Sequence, residues 1–185
     1  VIKLGIASSG YAFTNLLSSP DNHAAAAWGS GSGWTASISD VDGGSTAEQW
    51  VEHSGSGTRD ITQNAISTST GSHIMELYYK QKSGSDSARR LLFEIGNYPA
   101  WSSGLDLTLD ETGTVIDYST YGSAFTAGTA QSTVSTNSFF RVTATFTTTA
   151  TSLIVYAQHR NDSSATYTGD GASGWIIDNH RLYKI

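Results

Sequence analysis

Residues 139–147, FFRVTATFT, alternate without a break: Phe140, Val142, Ala144 and Phe146 fall on one side, and Arg141, Thr143, Thr145 and Thr147 on the other. A repeat of two is that of a β-strand, whose successive side chains point to opposite faces. One face of such a strand buries and the other meets solvent or a partner. The same alternation sets Met75, Leu77 and Tyr79 against Ile74, Glu76 and Tyr78, and Leu105, Leu107 and Leu109 against Asp106 and Thr108. SGSD at 83–86 and DETG at 110–113 supply turns of the kind that join antiparallel strands.

Strands are expected at 34–39, 47–53, 59–65, 71–82, 89–97, 105–109, 115–118, 139–147, 152–160 and 174–185. Many short strands separated by turn signals predict an all-β fold, an antiparallel β-sandwich of jelly-roll type. With 19 Gly, abundant Ser and Thr and only 14% charged residues, composition agrees, because Thr and aromatic residues suit a pleated surface and long helices favour Ala, Leu, Glu and Lys. The four alanines at 24–27 are too few to nucleate a helix. At 185 residues one core is expected. Residues 1–19 read as an N-terminal arm leading into a domain of residues 20–185. The Ser/Thr/Gly-rich stretch 119–138 is long for a loop, so it is functional, disordered or an irregular edge strand.

A formal charge of −6 argues against a phosphate-tracking role, so nucleic acid is not an expected partner. The short basic run from Lys80 to Arg90 reads as a solvated hairpin. There is no cysteine, so neither disulfides nor thiolate metal sites contribute. No apolar run approaches the roughly 18 residues of a membrane span, and VIKLGIASSG lacks the basic end and apolar stretch of a signal peptide. Neither membrane insertion nor export is expected of the sequence as it stands.

Catalytic spacing is hard to find. Neither GSGSG at 29–33 nor GSG at 55–57 fits a nucleophile turn between strand and helix. His23, His53, His73, His159 and His180 fall in no zinc-binding pattern. Glu76, Glu94, Asp106 and Asp178 lie in expected strands and could supply the paired carboxylates of glycoside hydrolysis, although exposed strand carboxylates are the common case. The aromatic residues say more. Trp101, in NYPAWSSG, sits between expected strands with Tyr98 beside it, either as an exposed platform for a sugar ring or a partner protein, or as a cap on the core. Tyr121 is a further contact candidate. Trp28, Trp34, Trp50 and Trp175 read as core. Asp170 in YTGDGASG and Asp178 in WIIDN form turns or hold a structural calcium ion; no other cofactor is expected.

Several segments, in order, resemble the jelly-roll domains of phage and prophage tail proteins, which are related in style to carbohydrate-binding modules. They are Asn15-Leu16-Leu17, the tryptophans at 28 and 34, DGGSTAEQWVE (42–52), HIMELYYK (73–80), LDLTLDETGTVID (105–117), SFFRVTATFTTTA (138–150) and YTGDGASGWIIDN (167–179). The last is the most specific. Phe139 and Phe140 depart from the pattern, standing where the family favours Trp and Tyr. The resemblance implies a non-catalytic protein of the virion surface, on capsid or tail: a decoration or cement protein, or a receptor-binding module. It would contact other virion proteins and a host-surface polysaccharide, with a trimer favoured. The alternative is a carbohydrate-binding module of a polysaccharide-degrading system.

Overall fold

The computed structural model describes residues 13–18, 34–57, 59–162, 164 and 166–185, so Trp28 and most of the N-terminal arm lie outside the described residues. The strands are β1 (Trp34–Ile38), β2 (Ala47–Val51), β3 (Ser56–Gly57), β4 (Arg59–Ser67), β5 (Gly71–Gln81), β6 (Arg89–Asn97) and β7 (Gly104–Leu109). They continue with β8 (Val115–Tyr121), β9 (Phe125–Val134), β10 (Phe140–Thr148), β11 (Ser152–Asn161), β12 (Tyr167–Thr168) and β13 (Gly174–Lys184). Six strands make one sheet in the order β1-β2-β13-β5-β10-β9, five make a second in the order β4-β11-β6-β7-β8, and β12 and β3 form a short ribbon. The pairings are antiparallel, giving the expected sandwich.

The alternation read from the sequence decides which side chains lie between the sheets. Met75, Leu77 and Tyr79 of β5 and Val142, Ala144 and Phe146 of β10 face Leu91, Phe93 and Ile95 of β6, Leu105, Leu107 and Leu109 of β7, and Leu153, Val155 and Ala157 of β11. Each apolar side chain taken fully from water contributes about 1.5–3 kcal/mol, so this layer carries the fold. Trp50 and Trp175 are buried in it, as expected, and Trp175 meets Tyr79 with ring centroids 5.9 Å apart.

Three features depart from the simple strand pattern. Half of the stretch 119–138 is the edge strand β9, and the Thr129 amide donates 2.9 Å to Thr145 Oγ1 where the β9–β10 register slips. Few apolar residues mark this strand, because an edge strand with one open side needs few. Residues 13–18 of the expected arm pack with the domain: Asn15 bridges to Tyr183, its Oδ1 accepts from the Leu182 amide at 2.9 Å, and Leu17 enters the main core.

The third is Arg89, from the basic run expected to be solvated. It is 5% exposed and forks onto Glu52, with Nε donating to Oε1 and Oε2 at 3.2 and 3.1 Å and Nη2 donating to Oε1 at 2.9 Å. The Tyr167 hydroxyl also donates to Glu52, and the guanidinium sits 4.7 Å over the Tyr167 ring. Burial forces this pairing, since an unpaired charge there would be far more costly than a paired one. The reading of the basic run as solvated therefore fails at Arg89.

Candidate functional site

The face of the five-stranded sheet turned away from the core is built from the other half of each alternation. In β11 the outward set is Ile154, Tyr156, Gln158 and Arg160, and in β7 it is Gly104, Asp106 and Thr108, since their neighbours Leu153, Val155, Ala157, Leu105, Leu107 and Leu109 face inward. Register then sets the neighbours across strands. Thr62, Tyr156, Glu94, Asp106 and Ser119 form one row over β4, β11, β6, β7 and β8. The next row runs Ile154, Gly96, Gly104, Tyr121, and the row on the other side runs Asp60, Gln158, Leu92, Thr108, Asp117.

The two glycines are places where rings lie on the backbone. A Cβ on Gly96 would stand 2.6 Å from Trp101 Cε3, and one on Gly104 would stand 2.5 Å from Tyr121 Oη. The loop 98–103 brings Trp101 back over its own strand. Asn97 organises it: its Oδ1 accepts from the Ser103 amide at 2.8 Å, and its carbonyl accepts from the Trp101 amide at 2.9 Å. Trp101 itself has φ +49, a left-handed conformation that costs an ordinary residue about 1–2 kcal/mol. Such strain persists only where surrounding contacts hold it, and it gathers at functional sites.

Together these elements shape an open depression of about 430 Å³ lined by Thr62, Glu94, Trp101, Ile154, Tyr156, Gln158 and Arg160. The rings of Trp101 and Tyr156 meet edge to face, with centroids 6.0 Å apart and planes at 86°. Around them runs a hydrogen-bond chain. Arg160 Nε donates to Gln158 Oε1 at 3.0 Å, Gln158 Nε2 donates to Tyr156 Oη at 2.8 Å, and Tyr156 Oη donates to Asp60 Oδ2 at 2.7 Å. On the far side of the row the Tyr121 hydroxyl donates to Glu94 Oε1.

Burial, then the bonded carboxylate, pushes the Tyr156 and Tyr121 phenols well above their usual range, so both stay protonated as donors. Burial, reinforced by the Glu94 charge and opposed by Arg160, raises the Asp106 carboxyl from 3.8 to about 6. Its Oδ1 is buried without a hydrogen-bond partner.

Of the contact candidates read from the sequence, Trp101 lines the depression and Tyr121 lies one strand pairing away, over Gly104. Tyr98, 40% exposed, sits on the same loop as Trp101 but does not line the depression. Of the four strand carboxylates, Glu94 and Asp106 are opposite one another. Glu76 and Asp178 belong to the other sheet, where Glu76 pairs with Arg141 and Asp178 Oδ2 accepts from the Val41 amide at 3.1 Å.

Asp170 and Asp178 are likewise in separate networks. Asp170 closes its own turn, taking the amides of Ala172 and Ser173 at 2.7 and 2.6 Å, and lies 3.7 Å from Arg89. Among the described residues no group of three or more His, Cys, Asp or Glu is placed to hold a metal ion. Thr62, Tyr156, Gln158 and Arg160 were not singled out in the sequence. Their signal is the outward half of the alternation in SLIVYAQHRN, where aromatic and polar residues stand in a row.

No protein-family model matches the chain, and no curated protein matches it. Among solved structures, the carbohydrate-binding module TmCBM61 in complex with beta-1,4-galactotriose is similar at 11% identity, over 93% of this chain and 99% of that one, with a TM-score of 0.48. That likeness is too distant to bear on what this chain binds.

Proposed function

We propose that this chain is a carbohydrate-binding domain that holds a glycan on the outer face of its five-stranded sheet without cleaving it. The observation that carries this reading is the Trp101 ring pressed onto Gly96 at the edge of a depression whose other walls are hydrogen-bonding side chains. A sugar ring presents an apolar C–H face and a rim of hydroxyls. An aromatic plate with fixed acceptors and donors around it complements both. The polar groups stand on strands and are already bonded to one another, so little side-chain freedom is lost on binding.

Binding rather than hydrolysis is supported by where the acids point. Glycoside hydrolysis needs two carboxyl groups flanking the scissile bond, whereas Glu94 is the acid that lines the depression and Asp106 lies outside that lining with its Oδ1 buried. Glu94 is moreover engaged by the Tyr121 hydroxyl. A place on a virion, the first setting the sequence resemblance implies, is carried by that resemblance only, and the geometry of the face favours the alternative reading.

Affinity electrophoresis through gels containing soluble polysaccharides tests the proposal. Retardation by at least one glycan, lost in Trp101→Ala and with no reducing ends released, is the expected result. Free migration in every gel would overturn it.

A further inference from the structure

We infer that the depression takes uncharged sugars and turns away uronic-acid and sulfated ones, with Glu94 and Asp106 as the residues that set this selectivity. The inference rests on the glycan-binding reading above and names its ligand class.

The reasoning starts from the inventory of charges on the face. Asp60, Glu94, Asp106 and Asp117 project from its rows, and Arg160 is the cation that lines the depression. Arg90, at the end of the same sheet, is tied to Glu111 at 3.1 Å and lies 3.6 Å from Asp162. Arg160 commits its Nε to Gln158 Oε1, and its single positive charge is set against two carboxylates, Glu94 in the same depression and Asp106 opposite Glu94. An incoming uronate or sulfate would therefore meet a net negative wall rather than a lone cation.

Hydrogen-bond direction gives the same answer. An ionised carboxylate only accepts, and a sugar hydroxyl can donate to it. Glu94 lines the depression with one oxygen taken by Tyr121, and Asp106 stands opposite it with its Oδ1 buried, so it adds negative charge beside the depression rather than a contact. The oxygens of a uronate or sulfate are acceptors too, so they would meet acceptors of like charge. At ~6 Å and an effective dielectric of ~40, one such encounter weakens binding about tenfold. Rejection of this kind is how a site separates ligands that share a shape.

The experiment has two stages. Wild-type protein is run at low salt through gels of galactan, glucan, mannan, xylan, polygalacturonate, alginate and heparan sulfate. At least one neutral polymer should retard it and none of the acidic ones should. An oligosaccharide of the retarding polymer is then compared by calorimetry with its counterpart oxidised to a carboxylate at the primary alcohol, or, for xylan, with a glucuronate-substituted oligosaccharide.

The acidic counterpart should bind wild type at least tenfold more weakly. In the double variant Glu94→Gln/Asp106→Asn, shown to be folded by circular dichroism, that gap should shrink to about threefold or less. An acidic polymer held as tightly as any neutral one would overturn the inference and leave the glycan reading standing. A gap unchanged in the double variant would overturn the roles given to Glu94 and Asp106. Retardation by no polymer would remove the glycan reading and this inference with it.

Discussion

The indole of Trp101 occupies the space that a side chain at Gly96 would need, with Cε3 2.6 Å from where its Cβ would stand. The position of the ring therefore depends on a residue that has no side chain of its own. Gly96→Ala should push the ring off the sheet and weaken glycan binding at least tenfold while the protein still melts cooperatively. Calorimetry and a near-ultraviolet circular dichroism spectrum check both halves; unchanged binding would show that the ring does not need its seat.

Removing the ring itself should separate binding from folding. Trp101→Ala is expected to weaken glycan binding by about 1–3 kcal/mol. Because the residue sits at φ +49 on an exposed loop, stability should change by only about 1 kcal/mol in urea unfolding. A loss of several kcal/mol would mark Trp101 as a cap on the core instead.

Asp106 makes the fold sensitive to alkali. Its carboxyl titrates near 6, above the 3.8 of a free side chain, so the folded state holds the proton more tightly. That stabilisation is complete below about 3.8 and is lost as pH rises through 6. Asp106→Asn should therefore stabilise the protein at pH 8 by about 1–2 kcal/mol, after allowance for solvent at the rim, and very little at pH 4. Thermal melts of both proteins across that range decide it.

His73 acts in the other direction. Burial, with a smaller contribution from the Lys184 charge and opposed by the Gly71 carbonyl, holds its imidazole below the usual 6.5. The neutral ring stacks on Phe146, with centroids 5.2 Å apart, and shares a 2.7 Å hydrogen bond with Thr68. Its contribution to stability is present above about 6.5 and is lost as pH falls toward the folded value. The Asp106 contribution is common to both proteins, so between pH 7 and pH 5 the melting temperature of His73→Gln should gain on that of wild type; a constant difference across the interval would show that His73 does not carry the effect.

The Glu52–Arg89 pair joins the end of β2 to the start of β6, and Glu52 also receives the Asp170 amide at 2.8 Å. Glu52→Ala should cost about 3 kcal/mol, because it takes the acceptor from Nε and Nη2 of a buried guanidinium and leaves only the partners of Nη1, Asp86 and Asn161, in hydrogen-bond contact. The conservative Glu52→Gln should cost less, since it keeps an acceptor. Urea titrations of the two variants rank them, and equal costs would show that charge is not what matters there.

Most of the fold could be read from the chain because β5, β7 and β10 alternate strictly, so each residue declares its face. β9 could not, since an edge strand of Thr, Ala, Gly and Ser carries little apolar signal to distinguish it from a loop. The burial of Arg89 is not legible locally, because it depends on Glu52, 37 positions earlier, and short-range charge counting does not see such a partner. The site was half legible. Trp101 stood out by composition, but its ring finds Gly96 through the geometry of a loop. Tyr156, Gln158 and Arg160 are ordinary strand residues until register sets them beside Glu94 and Thr62.

The division of labour within β7 has an evolutionary consequence. Leu105, Leu107 and Leu109 face inward and are buried, while Gly104, Asp106 and Thr108, interleaved with them, look outward. Gly104 is held by the Tyr121 ring above it, but substitutions at Asp106 and Thr108 can change the chemistry of this surface while the inward leucines stay untouched. A lineage carrying this strand can change the character of that face one alternate residue at a time, without passing through an unfolded ancestor.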